Sequence, residues 1–233
     1  MKIVAVIPAR AGSKGIKNKN FQKIGNKTLV EHTINQAKNS KYIDIIAVST
    51  DSKKIQAICK RDKKVWCDFL RPKNISGDRS RTSDAISFTL NKINKEFDYI
   101  IELHPTHVFR RVEIIDKAIK IMLKNKKFDS LISIIQIKST AHPDYTINLR
   151  NNHSISYKNS PARFNRHNLS KKYMSAGIIL ISKVSSFFRN KSMCSRKCYG
   201  FVINDFLTEQ NLDSDRDLKI AKIVWRNYVN KKY

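Results

Sequence analysis

Short runs rich in isoleucine and valine alternate with amphipathic stretches along most of this chain, and this alternation restricts the fold more than any other feature. The first run, Ile3–Ile7, is apolar at every position, and Asp44–Ser49 is apolar at its four inner positions. Unbroken apolar runs are typical of strands in parallel sheets, which are buried on both faces. Between the runs, stretches such as Val112–Leu123 repeat apolar residues at helical spacing. This alternation predicts an α/β fold with a mostly parallel sheet and helices on both faces.

The unbroken apolar runs and the helical spacing of apolar residues locate the individual strands and helices in the sequence. A chain of 233 residues suits one substantial core, so we predict a single domain over residues 1–233. The predicted strands are Ile3–Ile7, Asp44–Ser49, Val65–Phe69, Tyr99–Leu103, Ser130–Ile137, Gly177–Ile181 and Gly200–Ile203, and the predicted helices are Thr28–Asn39, Lys53–Arg61, Ser83–Ile93, Val112–Leu123 and Asp215–Val229.

The stretch from about residue 140 to residue 175 interrupts this alternation. It is polar, rich in turn-forming residues and poor in long apolar runs. A structureless loop of this length is uncommon inside a compact domain. We therefore predict short strands and turns that leave the main sheet and contact a partner subunit.

The chain carries a formal net charge of +27, from 46 Lys and Arg against 19 Asp and Glu. Such an excess is typical of nucleic-acid-binding proteins, but also of a basic solvated surface. The positive residues are dispersed, and no common nucleic-acid-binding motif occurs, so we favour a solvated surface without a specific nucleic-acid partner. No apolar run approaches the length of a membrane span, and we expect a cytoplasmic protein.

Polar residues follow several predicted strands directly. The segments PARAGSKG, STDS and HPTHVFRR come after the first, second and fourth strands. Ligands of open parallel sheets bind outside the carboxyl ends of the strands. The first of these loops combines Gly12 and Gly15 with Ser13, Arg10 and several lysines, which suits phosphate binding. It matches neither the P-loop pattern nor the dinucleotide-binding glycine pattern.

A second group of polar residues precedes the last predicted helix. Asp213 and Asp215 lie two positions apart, so in an extended segment they point the same way and can hold one hard cation such as Mg²⁺. The alternative is helix capping, and we assign Asp217 to that role.

Together these segments resemble the CMP-sialic acid synthetase (acylneuraminate cytidylyltransferase) family. The order and spacing of the matching segments hold over nearly the entire chain, and the first is the most specific. The segments are IPARAGSKGIKNKN, VSTDS, LRP followed by Asp78, HPT with the arginine of HPTHVFR, the stretch Arg166–Gly177, and LDSDRDL.

The resemblance implies a Rossmann-like nucleotidyltransferase fold, a homodimer, Mg²⁺, and CTP as co-substrate. It implies transfer of CMP to the anomeric hydroxyl of a 2-keto sugar acid, with release of pyrophosphate and with Arg10, Lys19 and Asp213 as catalytic residues. Carried over by position, the triphosphate and ribose would be held by Arg10, Ser13, Lys19 and Asn20. The cytosine would be flanked by Arg71 with Ser80 and Thr82. Mg²⁺ would be held by Asp213 and Asp215, and the acceptor would be faced by Arg166.

The chain departs from the family pattern on the acceptor side. His104 stands where the family usually has a glutamine, Ala176 replaces an amide side chain near the sugar, and Tyr145 falls near the position of a lysine. We therefore expect a nonulosonic acid other than sialic acid to be an acceptor candidate. The alternatives are a synthetase for the eight-carbon acid Kdo and, in another class, a basic nucleic-acid-binding protein.

Overall fold

The computed structural model describes residues 1–151, 154–157 and 169–229. Within these ranges the strands are β1 (Ile3–Pro8), β2 (Lys23–Ile24), β3 (Lys27–Thr28), β4 (Ile45–Ser49), β5 (Val65–Trp66), β6 (Tyr99–Glu102), β7 (Ser130–Gln136), β8 (Ile147–Leu149), β9 (Ile155–Tyr157), β10 (Tyr173–Lys183) and β11 (Cys198–Val202). The helices are α1 (Leu29–Lys38), α2 (Lys53–Cys59), α3 (Thr82–Ile93), α4 (Val112–Lys124), α5 (Val184–Asn190) and α6 (Asp215–Val224), which continues as a π-helical turn over Trp225–Val229.

Seven of the strands form one central sheet in the order β11-β7-β10-β6-β1-β4-β5. The pairs β1/β4, β1/β6, β4/β5 and β7/β11 are parallel. β10 runs antiparallel between β6 and β7. The prediction of a mostly parallel α/β sheet is confirmed, and the carboxyl ends of β1, β4 and β6 lie side by side at one edge.

Alternate residues of β1 face two different hydrophobic clusters, which explains why this strand is apolar throughout. Ile3, Ala5 and Ile7 pack with apolar residues of α1, α2 and α4. Val4 and Val6 pack on the opposite face with residues of α3 and α5. Burial of apolar surface on both faces drives the folding of this layered core, and helices cover both faces as predicted.

The structure differs from the prediction in several places. Helix α5 was not predicted, because its short sequence VSSFFRN has few apolar residues and depends on Phe187, which is buried in the core. The strand expected over Val65–Phe69 ends at Trp66, beyond which Phe69 packs edge-on against Phe88. Ser214, rather than Asp217, is the N-cap of α6.

The segment predicted to leave the sheet does contain short strands and turns in its described part. Two short 3₁₀ turns, Ser139–Ala141 and Pro143–Tyr145, precede the antiparallel hairpin of β8 and β9. The hairpin leaves the side chains of Ile147, Leu149 and Ile155 between 46% and 67% exposed. Contact of this segment with a partner subunit stays a prediction.

None of the helices in the described ranges combines the length and the apolar composition that crossing a lipid bilayer requires.

Candidate functional site

The loop after β1 runs across the carboxyl edge of the sheet and is fixed at several points. The Ala11 amide donates to a carboxylate oxygen of Asp51, after β4, at 2.7 Å. The side-chain amide of Asn20 donates to the Arg10 carbonyl at 2.8 Å and is nearly buried. The Leu212 amide donates to the Thr106 carbonyl at 3.1 Å, which joins the segment before α6 to the turn after β6. The predicted loops therefore meet at one edge.

Close packing of the loop against the Asp213 segment requires glycine at position 15. A Cβ at Gly15 would lie 2.1 Å from the Asp213 carbonyl oxygen, whereas a Cβ at Gly12 would meet no atom within 4 Å. We expect Gly15→Ala to lower the free energy of unfolding by about 1–3 kcal/mol, because backbone must shift to relieve the overlap. Urea unfolding measures this loss. Gly12→Ala is the matched control and should stay within about 1 kcal/mol of the wild type; equal losses in both variants would contradict the packing argument.

A cleft of about 220 Å³ opens where β1 and β6 end. Charged side chains meet at its rim: Arg10 contacts Asp78 at 2.9 Å, and Lys14 contacts the other oxygen of Asp78 at 3.0 Å. Lys14, and then Arg10, hold the pKa of the Asp78 carboxyl below its ordinary value. The residues that line the cleft are Pro8, Arg10, Arg71, Ile75, Gly77, Asp78, Ser80, Arg81, Thr82 and His104.

Arg71 is the most deeply buried cation of this cleft. Its backbone amide donates to the Thr50 carbonyl at 2.7 Å, and its Nε donates to the Ser76 hydroxyl at 3.2 Å. Burial lowers the pKa of Arg71, while the nearby Asp51 carboxylate acts in the opposite direction. A buried guanidinium fixed in this way offers planar donors to an acceptor in the cleft.

Lys19 and Asp213 form a second charged centre beside the first. The Lys19 ammonium lies 2.8 Å from Asp213 Oδ1, and the other oxygen of Asp213 accepts a hydrogen bond from Asn211 at 2.5 Å. The Asp213 side chain is 65% exposed and that of Lys19 only 15%. The loop after β1 thus carries one cation into the cleft, Arg10, and another to the carboxylate before α6.

Asp213 lies just before α6, whereas Asp215 is the first residue of that helix, so the extended segment expected for both carboxylates ends at Ser214. Ser214 is extended and caps the helix, and Asp217 accepts hydrogen bonds from its amide and hydroxyl, both at 2.8 Å. These bonds lower the pKa of Asp217, and they leave Asp213 and the exposed Asp215 at the surface. No group of three or more His, Cys, Asp or Glu side chains placed to hold a metal occurs in the part of the chain that is described. Two carboxylates completed by phosphates are a usual Mg²⁺ environment.

His104 and Glu102 form a pair that sequence reasoning missed. Glu102 is the last residue of β6 and is 3% exposed, and its Oε1 lies 2.8 Å from His104 Nε2. His104 lines the cleft. An acidic residue inside the apolar run YIIEL is the sequence signal that would have revealed it, because carboxylates are rarely fully buried unless paired.

Arg110 ties the end of β6 to its neighbours from inside the protein. It is 2% exposed and donates to the Ile178 carbonyl at 2.8 Å, the Gln36 side-chain oxygen at 2.9 Å and the His104 carbonyl at 2.7 Å. Burial lowers the pKa of Arg110 to about 9. Its contacts hold the backbone that carries His104.

His107, in the turn after β6, makes folding stability depend on pH. It is 2% exposed, its Nδ1 has no hydrogen-bond partner among the described residues, and burial, with Arg110 and His104 nearby, lowers its pKa to about 3. An unfolded histidine titrates near pH 6.5. The unfolded chain therefore binds an extra proton between about pH 6.5 and 3, so stability falls as pH falls through this window.

We expect the free energy of unfolding to fall by about 2 kcal/mol from pH 7 to pH 5 through His107 alone. Burial also lowers the pKa of His32, which adds to the loss. Urea unfolding at both pH values, on the wild type and on His107→Gln, measures the effect. The variant should lose about 2 kcal/mol less than the wild type, and an unchanged dependence would show that His107 is not responsible.

The structure brings most, but not all, of the predicted site residues together. Arg10, Arg71, Ser80, Thr82 and His104 share the cleft, and Lys19, Asn20 and Asp213 lie in the adjoining segments. Ser13 is half-buried in the loop after β1 and Asp215 is exposed at the start of α6; neither is among the lining residues of the cleft. Tyr145, near His142, and Ala176, packed at the edge of the core, are not among the lining residues of the cleft. Arg166 lies outside the described residues. The roles assigned to these residues stay predictions.

A mostly parallel sheet of this order defines a Rossmann-like nucleotidyltransferase fold. The solved structure of a CMP:2-keto-3-deoxy-manno-octonic acid synthetase complexed with CTP superposes with a TM-score of 0.71 at 15% identity, over 100% of both chains. A 4-diphosphocytidyl-2C-methyl-D-erythritol synthase from Anaerococcus prevotii gives a TM-score of 0.64 at 14% identity, over 97% of this chain and 96% of that one.

Residues 4–221 match the cytidylyltransferase family, and the chain belongs to that family. It is 30% identical to the CMP-N,N'-diacetyllegionaminic acid synthase of Legionella pneumophila, over 95% of both chains. It is 28% identical to the N-acylneuraminate cytidylyltransferase of Escherichia coli O18:K1:H7, covering 94% of this chain but spanning only about half, 51%, of that relative. A pseudaminic acid cytidylyltransferase of Campylobacter jejuni is 26% identical over 97% of both chains. The resemblance found in the sequence is thereby confirmed.

Proposed function

We propose that the protein transfers CMP from CTP to the anomeric hydroxyl of a nonulosonic acid, a nine-carbon 2-keto sugar acid, and releases pyrophosphate. The observation that carries this proposal is the loop after β1, which presents Arg10 in the cleft and Lys19 at Asp213. Cations placed along one loop suit a triphosphate chain, since neutralising its charge is the main requirement of phosphoryl-type transfer.

The nucleotide would lie with its base in the cleft and its phosphates along the loop. Arg71, held by Ser76, and the Ser80–Thr82 segment would flank the cytosine. Arg10, Ser13 and Lys19 would contact the phosphates and ribose. Asn20 donates its side-chain amide to the Arg10 carbonyl, so its contribution would be to shape this loop.

Asp213 and Asp215 would hold Mg²⁺. The ion would supply charge neutralisation and Lewis acidity at phosphate oxygens. Arg10 and Lys19 would stabilise the negative charge that develops on the transferred phosphate and on the leaving pyrophosphate. A direct attack of the acceptor oxygen on the α-phosphorus needs no covalent intermediate with the protein.

The acceptor side determines which sugar acid is used. Relatives named for sialic, legionaminic and pseudaminic acids match the chain almost from end to end, which favours nine-carbon acceptors. The likeness to the octonic acid synthetase, at 15% identity, concerns the fold. His104 and Ala176 differ from the usual family residues, and we infer an acceptor whose substituents differ from those of sialic acid.

We also infer a cytoplasmic homodimer formed through the hairpin of β8 and β9. The exposed side chains of Ile147, Leu149 and Ile155 would supply the apolar contact that such an interface needs. A monomer in sedimentation equilibrium at assay concentration would contradict this inference.

The test of the proposed function is incubation with CTP and Mg²⁺ and a panel of acceptors. The panel should contain sialic, legionaminic and pseudaminic acids together with Kdo, and pyrophosphate release is measured for each. We expect release with at least one nine-carbon acid and little with Kdo. Release with Kdo alone would reassign the acceptor, and release with none of the acids would contradict the proposal.

A further inference from the structure

A carboxylate is buried directly beneath the cleft, with one side-chain partner in the described ranges. Glu102 is 3% exposed, and the His104 imidazole lies 2.8 Å from its Oε1 through Nε2. Its neighbours along β6 are the fully buried Ile100 and Ile101, and its cross-strand partner on β10 is Leu180. Burying a carboxylate in apolar surroundings is costly unless a donor compensates it, so the pair acts as one unit.

The contact with Glu102 bears on which nitrogen of His104 carries the proton. We assign the proton of the neutral ring to Nε2, because this nitrogen lies 2.8 Å from Glu102 Oε1 and a carboxylate can only accept; Nδ1 then keeps its lone pair. The His104 side chain is 32% exposed and lines the cleft with Arg10 and Thr82. The Arg110 guanidinium holds the His104 carbonyl at 2.7 Å, which fixes the backbone that carries the ring. Glu102 thus contacts one nitrogen of the ring from inside the protein, and the His104 side chain is accessible from the cleft.

We propose that His104 is the general base of the transfer reaction and that Glu102 is the positioning residue behind it. The inference rests on the proposed function. Nδ1 of His104 accepts the proton of the acceptor's anomeric hydroxyl as its oxygen bonds to the α-phosphorus of CTP. The bond between that phosphorus and the pyrophosphate oxygen breaks, pyrophosphate leaves with the electron pair, and the imidazolium then returns its proton to water.

Glu102 matters for this step because the surroundings of His104 are mainly positive. Positive neighbours oppose protonation of an imidazole, whereas an adjacent carboxylate favours it. Glu102 is therefore the negative charge that faces the imidazolium formed in this step, with its Oε1 2.8 Å from Nε2. The titratable and charged groups around the pair are Arg10, Arg71, Arg81 and Asp78 in the cleft, Arg110 and the buried His107 after β6, and Cys194, whose thiol pKa is raised mainly by Cys198 and by burial and least by Glu102.

The test compares His104→Gln and Glu102→Gln with the wild type by measuring kcat and KM against pH. We expect His104→Gln to lower kcat about 100-fold or more, because general base catalysis contributes on that scale, and to remove the fall in kcat/KM at acidic pH. Glu102→Gln should lower kcat less and leave KM unchanged, because an amide can donate as well as accept and no longer fixes the tautomer of His104. Glu96→Gln is the matched control: it makes the same change at an exposed residue beside Asp98, at the opposite edge of the sheet, and should leave both quantities unchanged.

CTP binding by titration calorimetry separates this inference from the proposed function. His104→Gln should bind CTP within about threefold of the wild type, so that its defect lies in kcat. A His104→Gln enzyme with wild-type kcat and an unchanged pH profile would overturn the inference while leaving the function standing. A wild type without turnover on any acceptor would overturn both. His104 is partly exposed, so we expect His104→Gln to fold. This variant therefore tests the inference even if Glu102→Gln fails to fold.

Discussion

Asp213→Asn is expected to reduce turnover of CTP by at least about 100-fold while leaving the protein folded. The carboxylate contacts the Lys19 ammonium at 2.8 Å and would supply a negatively charged oxygen to Mg²⁺. An asparagine keeps the shape of the side chain and its place before α6 but carries no charge. Loss of one preorganised charge contact in an active site commonly costs two to three orders of magnitude in rate, or about 100-fold to 1,000-fold. Steady-state pyrophosphate release with saturating CTP measures the loss.

The matched control for this substitution is Asp129→Asn. Asp129 forms an equivalent pair with Lys183, also at 2.8 Å, but precedes β7 at the other edge of the sheet. We expect Asp129→Asn to keep wild-type turnover, and both variants to lose no more than about 1 kcal/mol of stability, as is usual for ion pairs that solvent reaches. Equal turnover in Asp213→Asn and the wild type would refute the role of Asp213 in metal binding and catalysis.

Arg110→Met is expected to cause the largest loss of stability, about 3–5 kcal/mol. The arginine donates three hydrogen bonds inside the protein, to the carbonyls of Ile178 and His104 and to Gln36. Methionine fills similar space but removes all three hydrogen bonds, two of which go to the buried Ile178 carbonyl and Gln36 oxygen, at a cost of about 1–3 kcal/mol for each buried acceptor. Relief from burying the cation offsets part of that cost. Urea denaturation monitored by circular dichroism measures the difference.

Arg111→Met is the matched control because it makes the same change one residue later. The Arg111 side chain is 61% exposed and its guanidinium contacts Asp205 at 2.6 Å. Exposed ion pairs contribute little, so we expect a loss below about 1 kcal/mol. If the two variants were equally stable, the account of Arg110 as the internal support of the site would be wrong.

The sheet could be predicted well because its strands are buried on both faces. β1 and β4 are apolar at successive positions, which distinguishes them clearly from the amphipathic helices. Helix α5 carries no such pattern and is placed by Phe187 in the core, so only the tertiary structure reveals it. The antiparallel direction of β10 likewise depends on how the chain returns to the sheet, which local sequence does not encode.

Part of the lining of the cleft was also predictable, since its residues follow strand ends in the sequence. Arg10 and His104 come directly after β1 and β6, and both line the cleft. The pairing of Lys19 with Asp213 joins residues 194 positions apart, and only the folded chain brings them together. Glu102 was visible in the sequence as a charge within a strand, but its partner could be identified only from the geometry.

The central claim is that CTP and a sugar acid react on this surface to give a CMP-sugar and pyrophosphate. Phosphorus-31 NMR of the protein with CTP, Mg²⁺ and the acceptor panel follows both products at once. We expect one new phosphodiester signal and one pyrophosphate for each CTP consumed, and only when a nonulosonic acid is present. Unchanged CTP with every acceptor, or conversion of CTP to CDP and orthophosphate without a phosphodiester, would contradict it.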